Sequence, residues 1–380
     1  MHPIQAYAAR QERCVVGLIS GTSADGIDVA RVRIDGTGAV ALERFDLVPL
    51  PEAVRTVLFE LFAGHGEVRD AARMHVLVGE LFADAAGPFL DGAHLVASHG
   101  QTIFHQPVAT EFCGHPVRCT WQLGDGCILA ARTGLPVVSD FRVADMAVGG
   151  EGAPLVPYAD VRLFSHPELW RVALNIGGIA NLTWLPPLAS GQAPRAFDTG
   201  PGNALLDAVT RLRTGQPYDA NGDLAAQGQS DATLLARLLE HPYFQRRGAR
   251  STGREDFGLP LAHSILEQAG GRTTPDLLAT LAALTAETVA RGLEELPRVD
   301  EIYVAGGGAH NRTLISMLSN RLSKPVHPLA DLGINVDARE AVAFALMGDA
   351  TMRGEPSNVP TATGARGPAI LGKISLPPKS

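Results

Sequence analysis

A short glycine-rich stretch near the start of the chain, GTSADGID at 21–28, is crowded with hydroxyl and carboxylate side chains. Such a turn exposes backbone N–H groups that can hold phosphate oxygens, and Asp25 and Asp28 are carboxylates of the kind that bind Mg²⁺. It is not a Walker phosphate loop, which needs a lysine and a following helix. The same residues also suit a hairpin whose Asp and Ser side chains bond their own backbone. This stretch alone leaves the phosphate cradle and the structural bend equally open.

Two later stretches of the first half also carry polar side chains. SHGQT supplies His99, Gln101 and Thr102 directly after an apolar run, so we expect a strand to end there. The polar groups at that end either line a cleft or, as is more common for this composition, form a surface loop. SDFRVAD places Arg142 between two acids, the second of which is Asp145. This arginine forms either a surface ion pair or a guanidinium fork that recognises a carboxylate or sugar hydroxyls.

Asp198 stands in FDTGPGN, just before a Thr-Gly-Pro-Gly turn that feeds a helical pattern. A carboxylate in that position either interacts with the N-terminus of the helix or acts as a catalytic base. The sequence around Asp198 leaves both roles open.

The elements that would position these residues follow from periodicity. Alternating apolar residues on both sides of the first glycine stretch predict a strand–turn–strand hairpin, and RVALNIGGIANLTWL at 171–185 repeats that device around Gly177 and Gly178. EIYVAGGGAHNRT, from 301, predicts a strand, a glycine turn at 306–308 and a helix capped by Asn311. Helices are also predicted from Pro275 and from about Ala338. Strands mixed with such helices indicate an α/β protein.

The bulk composition limits the remaining possibilities. The chain has 380 residues, enough for two domains, with 46% hydrophobic residues and a formal charge of −8. This charge argues against non-specific binding to nucleic acid or anionic lipid. No apolar stretch has the length of a membrane span, and the start of the chain lacks a secretory pattern, so we expect a cytoplasmic protein. Gly149, Gly150 and Gly152 mark our predicted interdomain hinge, which gives domains at 1–150 and 151–380.

Taken together, the two glycine hairpins and the late glycine turn resemble the actin/hexokinase-type ATPases. The resemblance implies a two-domain, ribonuclease H-like α/β fold with the active site in the interdomain cleft. It then narrows to the anhydro-N-acetylmuramic acid kinase family, because eight motifs occur in that family's order over about residues 15–370. They are GTSADGID, SHGQT, LGDG…GLPVVSDFRVAD, GGEGAPLVP, NIGGIANLT, FDTGPGN, STGRE and VAGGGAHN.

The resemblance implies an ATP- and Mg²⁺-dependent enzyme of cell-wall recycling, and a homodimer. Such enzymes open the 1,6-anhydro ring of anhydro-N-acetylmuramic acid with water and phosphorylate O6. Asp198 would be the base that activates water, and Asp25 or Asp28 would lie on the magnesium side. The residues implied for ATP are Gly21, Thr22, Ser23, Ala24, Asp25, Gly26, Ile27, Asp28, Gly177, Gly178, Gly306, Gly307, Gly308 and Asn311. Those implied for the sugar are His99, Gln101, Thr102, Arg142, Asp145 and Glu340.

Two alternatives accompany this resemblance. Levoglucosan kinases share most of these motifs, and only the groups that hold the N-acetyl and lactyl substituents would separate the two substrates. The other alternative is an ATPase of the same superfamily that changes conformation for a partner. That alternative predicts ATP turnover without sugar and an appended partner-binding region, and the sequence shows no such segment.

Overall fold

A computed structural model describes residues 2–21, 23–248, 250–333 and 335–378, except for the side chains of Arg254 and Glu255. The chain divides into two compact units. The first comprises residues 1–163 and 337–380, and the second comprises residues 164–336. This division differs from the expected boundary at residue 150, because the C-terminal segment packs with the N-terminal half of the chain. The glycines of the predicted hinge, residues 149–152, lie inside the first unit.

The strands alternate with helices along the chain and form one sheet in each unit. They are β1 (Arg13–Ser20), β2 (Gly26–Ile34), β3 (Val40–Pro49), β4 (Leu95–Phe112), β5 (His115–Leu123), β6 (Val137–Ser139), β7 (Arg171–Ile176), β8 (Ile179–Leu185), β9 (Arg195–Pro201), β10 (Glu301–Ala305), β11 (His327–Pro328) and β12 (Lys373–Ser375).

The helices range from single turns to long buried elements. They are α1 (Pro3–Ala8), α2 (Glu52–Phe62), α3 (Val68–Ala86), α4 (Gly126–Thr133), α5 (Phe141–Ala147), α6 (Pro157–Phe164), α7 (Ala204–Thr214), α8 (Ala232–Leu238), α9 (Arg254–Phe257), α10 (Leu259–Glu267), α11 (Thr274–Glu294), α12 (Arg312–Leu322), α13 (Arg339–Met352) and α14 (Pro360–Thr363). Within the described residues, no helix is both long enough and apolar enough to cross a membrane.

The two sheets have the same strand order. In the first unit the order is β3-β2-β1-β4-β6, with β12 added beside β6 and β5 paired with β4. In the second unit the order is β9-β8-β7-β10-β11. In both, the first three strands are antiparallel neighbours and the next two run parallel to the first strand. This repeated order confirms the predicted ribonuclease H-like α/β class.

Helix α13 returns the chain to the first sheet after the second unit is complete. It packs on β1 so closely that a Cβ at Gly17 would overlap the carbonyl oxygen of Ala341, and a Cβ at Gly348 would lie 2.6 Å from the Cβ of Ala97. Small residues at such contacts allow close packing of a helix on a sheet. The helix thereby carries Glu340, in its first turn, to the first unit.

The predicted hairpins β1–β2 and β7–β8 are confirmed, as are the helices that begin near Pro275 and Ala338. The expectation that a strand ends near His99 was wrong. Strand β4 bends at Gly100, where φ is +77°, and continues to Phe112 as one arm of a long hairpin with β5. Glycine tolerates this left-handed backbone, which most other residues avoid.

Candidate active site

The first glycine turn links β1 to β2 and is held by its own backbone. The N–H of Ala24 donates to the carbonyl of Gly21 (3.1 Å), and the guanidinium of Arg55 donates to the carbonyl of Ala24 (3.1 Å). Ala24 has φ +49° and is fully buried, and the Ser23 hydroxyl donates to Asp25 (2.9 Å). Thr22 lies outside the described residues. The turn therefore has the internal bonds of a structural hairpin and also the glycine backbone of a cradle.

The end of the turn enters the sheet at Gly26 and Ile27, which are both buried. A Cβ at Gly26 would lie 2.6 Å from a methyl carbon of Leu47 and 2.8 Å from the carbonyl oxygen of Val48. Close packing against the neighbouring strand is thus sufficient reason for this glycine.

Gln101 and Thr102 lie where β4 passes the end of β1. The side-chain amide of Gln101 donates to the carbonyl of Gly21 (3.1 Å), and among the described residues its Oε1 has no hydrogen-bond partner although it is buried. Thr102 accepts a hydrogen bond from the amide of Gln122 (3.2 Å). The predicted sugar residue Gln101 is therefore bonded to the predicted phosphate turn.

Acidic side chains accumulate beside that turn. Asp28 is half-buried, and its burial, followed by the charges of Glu340, Asp25 and Asp337, raises the pKa of its carboxyl to about 7. The predicted sugar residue Glu340, exposed on the first turn of α13, thus lies near the carboxylates that were predicted for magnesium.

The carboxylates beside the first glycine turn suit Mg²⁺ only together with other ligands. Among the described residues, no group of three or more His, Cys, Asp or Glu side chains is arranged to hold a metal ion. Mg²⁺, however, keeps several waters and needs only one or two carboxylates when phosphate oxygens supply the rest. A cation beside Asp28 would also offset the repulsion that raises its pKa. The donor set therefore fits a phosphate-bound Mg²⁺ and does not fit a metal held by protein side chains alone.

Buried His99 and half-buried Arg142 form a hydrogen-bonded pair. The Nε of Arg142 donates to Nε2 of His99 (3.0 Å), which must therefore be unprotonated, so Nδ1 carries the proton that bonds the carbonyl of Gly100 (3.0 Å). Burial, and then the charge of Arg142, lowers the pKa of His99 well below its usual value. The ring also packs on Phe344 of α13, with centroids 4.5 Å apart. His99 is thus a neutral acceptor that orients the arginine.

Arg142 itself is not the surface ion pair that its flanking acids suggested. Its Nη1 donates to the carbonyl of Gly152 (2.8 Å), and burial lowers the pKa of the guanidinium to about 10 while Glu340 opposes that shift. A guanidinium with a pKa near 10 stays charged at neutral pH. The first unit therefore brings Arg142, His99 and Glu340 together.

Asp145 differs from its predicted neighbours because its carboxylate is completely buried. It accepts hydrogen bonds from the amide of Asn358 (2.8 Å), the hydroxyl of Thr363 (2.8 Å) and the backbone N–H of Gly152 (2.9 Å). These bonds fasten the glycine run 149–152 to the C-terminal segment. The carboxylate is hydrogen-bonded by protein groups on both oxygens, and the structure does not bring it to an accessible surface.

In the second unit, the turn at Gly177 and Gly178 is tied to the start of α7. The carbonyl of Gly177 accepts the N–H of Asn203 (2.8 Å), and that of Gly178 accepts the N–H groups of Gly202 (2.9 Å) and Ala204 (3.0 Å). The Asn203 side chain also donates to the carbonyl of Gly177 (3.2 Å). The hairpin turn and the helix start are consequently one rigid assembly.

The late glycine turn packs tightly on β7. Gly306 has φ +81°, and a Cβ there would lie 2.7 Å from the carbonyl oxygen of Ile176. Gly308 is also pressed against Ile176, whereas Gly307 has only Asn203 within ordinary contact distance. Asn311 caps α12 by accepting the N–H of Leu314 (3.0 Å), as predicted from the sequence.

Two cavities of the second unit open beside Gly307, with volumes of about 560 and 590 Å³. Both also touch Asn203 and Asp207, and their size is that of small-molecule sites. Several of the residues that line these two cavities were not predicted from the sequence. They are Asn203, Asp207, Arg211, Tyr218, Asn221 and His310. Asn203 stood in the recognised FDTGPGN motif, whereas the others are ordinary helix and loop residues with no sequence signal.

Asp198 lies in β9 and is half-buried. Its Oδ2 accepts the backbone N–H of Thr252 (2.9 Å), which belongs to the STGRE stretch. That stretch, one of the eight motifs of the family resemblance, therefore contacts the predicted base. A carboxylate that is oriented by a backbone donor suits a general base.

With this geometry in place, the fold and its two glycine hairpins define an α/β ATPase of the actin/hexokinase type. The protein-family model that matches the chain describes anhydro-N-acetylmuramic acid kinase and covers residues 13–377. Three similar curated proteins carry the same name. The protein of Caldanaerobacter subterraneus is 43% identical over 97% of this chain and 98% of its own, that of Salinibacter ruber 41% over 99% and 100%, and that of a Cyanothece species 42% over 96% and 100%.

The chain therefore belongs to the anhydro-N-acetylmuramic acid kinase family, and it is an ATP-using kinase. Among solved structures, it also matches an activator of 2-hydroxyisocaproyl-CoA dehydratase from Clostridium difficile with bound ADPNP, at 11% identity and a TM-score of 0.42 over 90% of this chain and 96% of that one. At this level the likeness adds nothing to the topology described above.

Proposed function

We propose that the protein opens the 1,6-anhydro bridge of anhydro-N-acetylmuramic acid with water and transfers the γ-phosphoryl group of ATP to O6. The product is N-acetylmuramic acid 6-phosphate, an intermediate of peptidoglycan recycling. The observation that carries this proposal is the match to the family over residues 13–377, nearly the whole chain. The relatives that share the name also match over nearly their full lengths.

In the proposed reaction, the carboxylate of Asp198 takes a proton from the attacking water. The water oxygen bonds to C1 and the C1–O6 bond breaks. As O6 leaves C1, it accepts the γ-phosphoryl group of ATP, and ADP is the leaving group. Inverting glycosidases need a second carboxylic acid to protonate the leaving oxygen. Phosphoryl transfer to O6 largely replaces that role here, so one oriented carboxylate is sufficient.

The first unit supplies the groups that we assign to the sugar and to the phosphates. Arg142 offers a charged guanidinium to the lactyl carboxylate or to hydroxyls, and neutral His99 orients it. Glu340, Gln101 and Thr102 complete the proposed sugar set. For Asp145 we propose a supporting role, because its bonds to residues 152, 358 and 363 hold the segment that follows Arg142.

The phosphates are assigned to the turn at 21–28, with Asp28 or Asp25 on the magnesium side. Asp28 fits better, because its carboxyl is half-buried and lies near other acidic side chains, whereas Asp25 is exposed. Bound Mg²⁺ would neutralise the charge that develops on the phosphates during transfer. In the second unit, Gly177 and Gly178 would face the phosphates, while Gly306, Gly307, Gly308 and Asn311 lie beside adenosine. The cavities at Gly307 support this assignment. We further propose a cytoplasmic homodimer, as the family resemblance implies.

Coupled measurement of ADP release tests the proposed substrate. Anhydro-N-acetylmuramic acid should stimulate ADP release strongly over the rate without sugar, and levoglucosan should stimulate it much less, because it lacks the N-acetyl and lactyl groups. Equal stimulation by both sugars would contradict the assignment of Arg142 to the lactyl carboxylate. ADP release that does not depend on sugar would contradict the proposed reaction altogether.

A further inference from the structure

The edge of the second sheet at Asp198 is closed by a segment from a different part of the unit. Three polar groups of Asp198 form hydrogen bonds with Tyr243, Arg250 and Thr252. Its N–H donates to the carbonyl of Arg250 (3.0 Å), its carbonyl accepts the hydroxyl of Tyr243 (2.7 Å), and its Oδ2 accepts the N–H of Thr252 (2.9 Å). The position of the carboxylate therefore depends on where this segment lies.

The segment is anchored by the side chain of Arg250, whose exposed fraction is 5%. Its guanidinium makes a two-pronged ion pair with Glu295 at the end of α11, with N–O distances of 2.9 and 3.0 Å. The guanidinium carbon also lies 4.2 Å from the centre of the Phe197 ring, next to Asp198 in β9. A planar guanidinium suits this combination of bidentate pairing and ring stacking, which lysine cannot reproduce.

A second contact holds Thr252, at the other end of the segment that bonds Asp198. The hydroxyl of Thr252 donates to Asp256 (2.6 Å), which fixes the residue whose N–H meets the Asp198 carboxylate. Burial, followed by the charge of Asp198, raises the pKa of the Tyr243 hydroxyl, so the hydroxyl remains a proton donor to the carbonyl of Asp198 across the working pH range.

We propose that Arg250, paired with Glu295, is a positioning residue for Asp198. The proposal rests on the assignment of Asp198 as the base. The ion pair fixes the carbonyl of residue 250 and, two residues later, the N–H of Thr252, and these two groups hold Asp198 from both sides. Displacements of about 1 Å in a catalytic group can cost on the order of 10²-fold in rate, so weakening this anchor should act mainly on turnover.

The variant that tests this is Arg250→Met, which keeps the length of the side chain and removes the ion pair. The matched control is Arg171→Met. Arg171 pairs with Glu301 (2.8 Å) in the same unit, and its guanidinium carbon lies 5.4 Å from the ring centre of Tyr303. None of its hydrogen bonds, ion pairs or ring contacts within the described part of the chain involves Tyr243, Arg250 or Thr252. Loss of a partly buried Arg–Glu pair beside an aromatic ring is thus common to both variants, and contact with the Asp198 segment is not.

Two measurements are made on the full-length protein. We expect Arg250→Met to lower kcat for the sugar-dependent reaction by at least about tenfold with KM for sugar and ATP changed by less than about threefold, whereas Arg171→Met keeps kcat within about twofold. Backbone amide exchange at Thr252 should become faster in Arg250→Met and remain slow in Arg171→Met. Arg250→Lys should recover little of the lost turnover, because it restores the charge without the fork.

The double variant that combines Arg250→Met with Asp198→Asn distinguishes the positioning role of Arg250 from the role of Asp198 as the base. If Arg250 acts through Asp198, Arg250→Met has no further effect, within about twofold, in the Asp198→Asn background. An equal loss in that background, unchanged kcat in Arg250→Met, or equal losses in both methionine variants would overturn the positioning role alone. Near-normal turnover in Asp198→Asn would overturn the base and, with it, this proposal. Absence of sugar-dependent turnover in the unaltered protein would overturn the proposed function itself.

Discussion

The two glycine hairpins have the same place in the same strand order, yet they carry different chemistry. The turn between β1 and β2 bears Asp25 and Asp28 and lies near Glu340 on α13. The turn between β7 and β8 consists of Gly177 and Gly178, and its carbonyls are bonded to residues 202–204. In the first turn the carboxylate side chains carry the proposed chemistry, whereas the second turn is distinguished by close backbone contacts with the start of α7. The repeated topology puts a glycine turn at the same position in each sheet, and the residues of each turn determine its proposed role.

The comparison extends to the charged groups behind each turn. In the first unit, buried His99 pairs with half-buried Arg142, and the exposed carboxylate of Glu340 lies nearby. In the second unit, Asp198 is held by backbone donors and acceptors from residues 250 and 252. We therefore expect substitutions in the first unit to change binding and charge balance, and substitution of Asp198 to change turnover.

The largest expected effect is that of Asp198→Asn. This change keeps the shape of the side chain and its bond from Thr252 but removes the basic oxygen, so turnover should fall by at least about 10²-fold while ATP still binds. Steady-state kinetics and nucleotide titration measure the two properties. Asp28→Asn should instead mainly weaken the binding of Mg–ATP. If both variants lost turnover equally, with ATP binding unchanged, the contrast between the two units would be wrong.

A smaller effect separates the glycines by their surroundings. Gly306→Ala places a Cβ 2.7 Å from a backbone oxygen at φ +81°, so overpacking and backbone strain should reduce the free energy of unfolding by about 2–4 kcal/mol. Gly21→Ala meets only the Ser23 hydroxyl, at 3.8 Å, and should change it by less than about 0.5 kcal/mol. Urea denaturation measures both. Similar losses in the two variants would show that the first turn is as tightly packed as the later one.

The smallest effect concerns acid sensitivity in the first unit. Burial lowers the folded-state pKa of His99, so its contribution to stability is present above its unfolded pKa of about 6.5 and is lost as the pH falls below it. Asp28 has the opposite sign, because its pKa is raised to about 7. Its contribution is present at low pH and is lost as the pH rises from about 4 through 7.

These two groups can be separated by substitution. Relative to the unaltered protein, His99→Gln should lose less stability on acidification from pH 7 to 5, and Asp28→Asn should lose more. The free energy of unfolding, measured at each pH, gives the two differences. Differences of the same sign would contradict the opposite shifts.

Much of the fold could be predicted from local sequence, because alternating apolar residues broken by glycine specify hairpins independently of distant contacts. The end of β4 was missed, since Gly100 looks like a strand terminator and only pairing with β5 shows that the strand continues. The return of α13 to the first unit depends on contacts of Gly17 and Gly348 with residues far away in sequence. No local pattern reports such contacts.

The site was predictable to the extent that its residues sit in distinctive motifs. Asp198 and Gln101 could be proposed from FDTGPGN and SHGQT. The hydrogen bonds of Tyr243, Arg250 and Thr252 to Asp198 could not, because they join residues that are far apart in the sequence. Asp145 shows the converse limit. Its motif suggests a ligand contact, whereas its carboxylate is buried and accepts hydrogen bonds from three protein groups.

In the proposed reaction, addition of water to the anhydro ring and phosphorylation of O6 are coupled. Phosphorus NMR together with mass spectrometry of the sugar product, after incubation with ATP, Mg²⁺ and anhydro-N-acetylmuramic acid, tests this coupling most directly. We expect one phosphomonoester for each ADP, no free phosphate, and a product mass equal to that of the anhydro sugar plus one water and one phosphoryl group. ADP accompanied by free phosphate, or a phosphorylated sugar without the added water, would contradict the coupling.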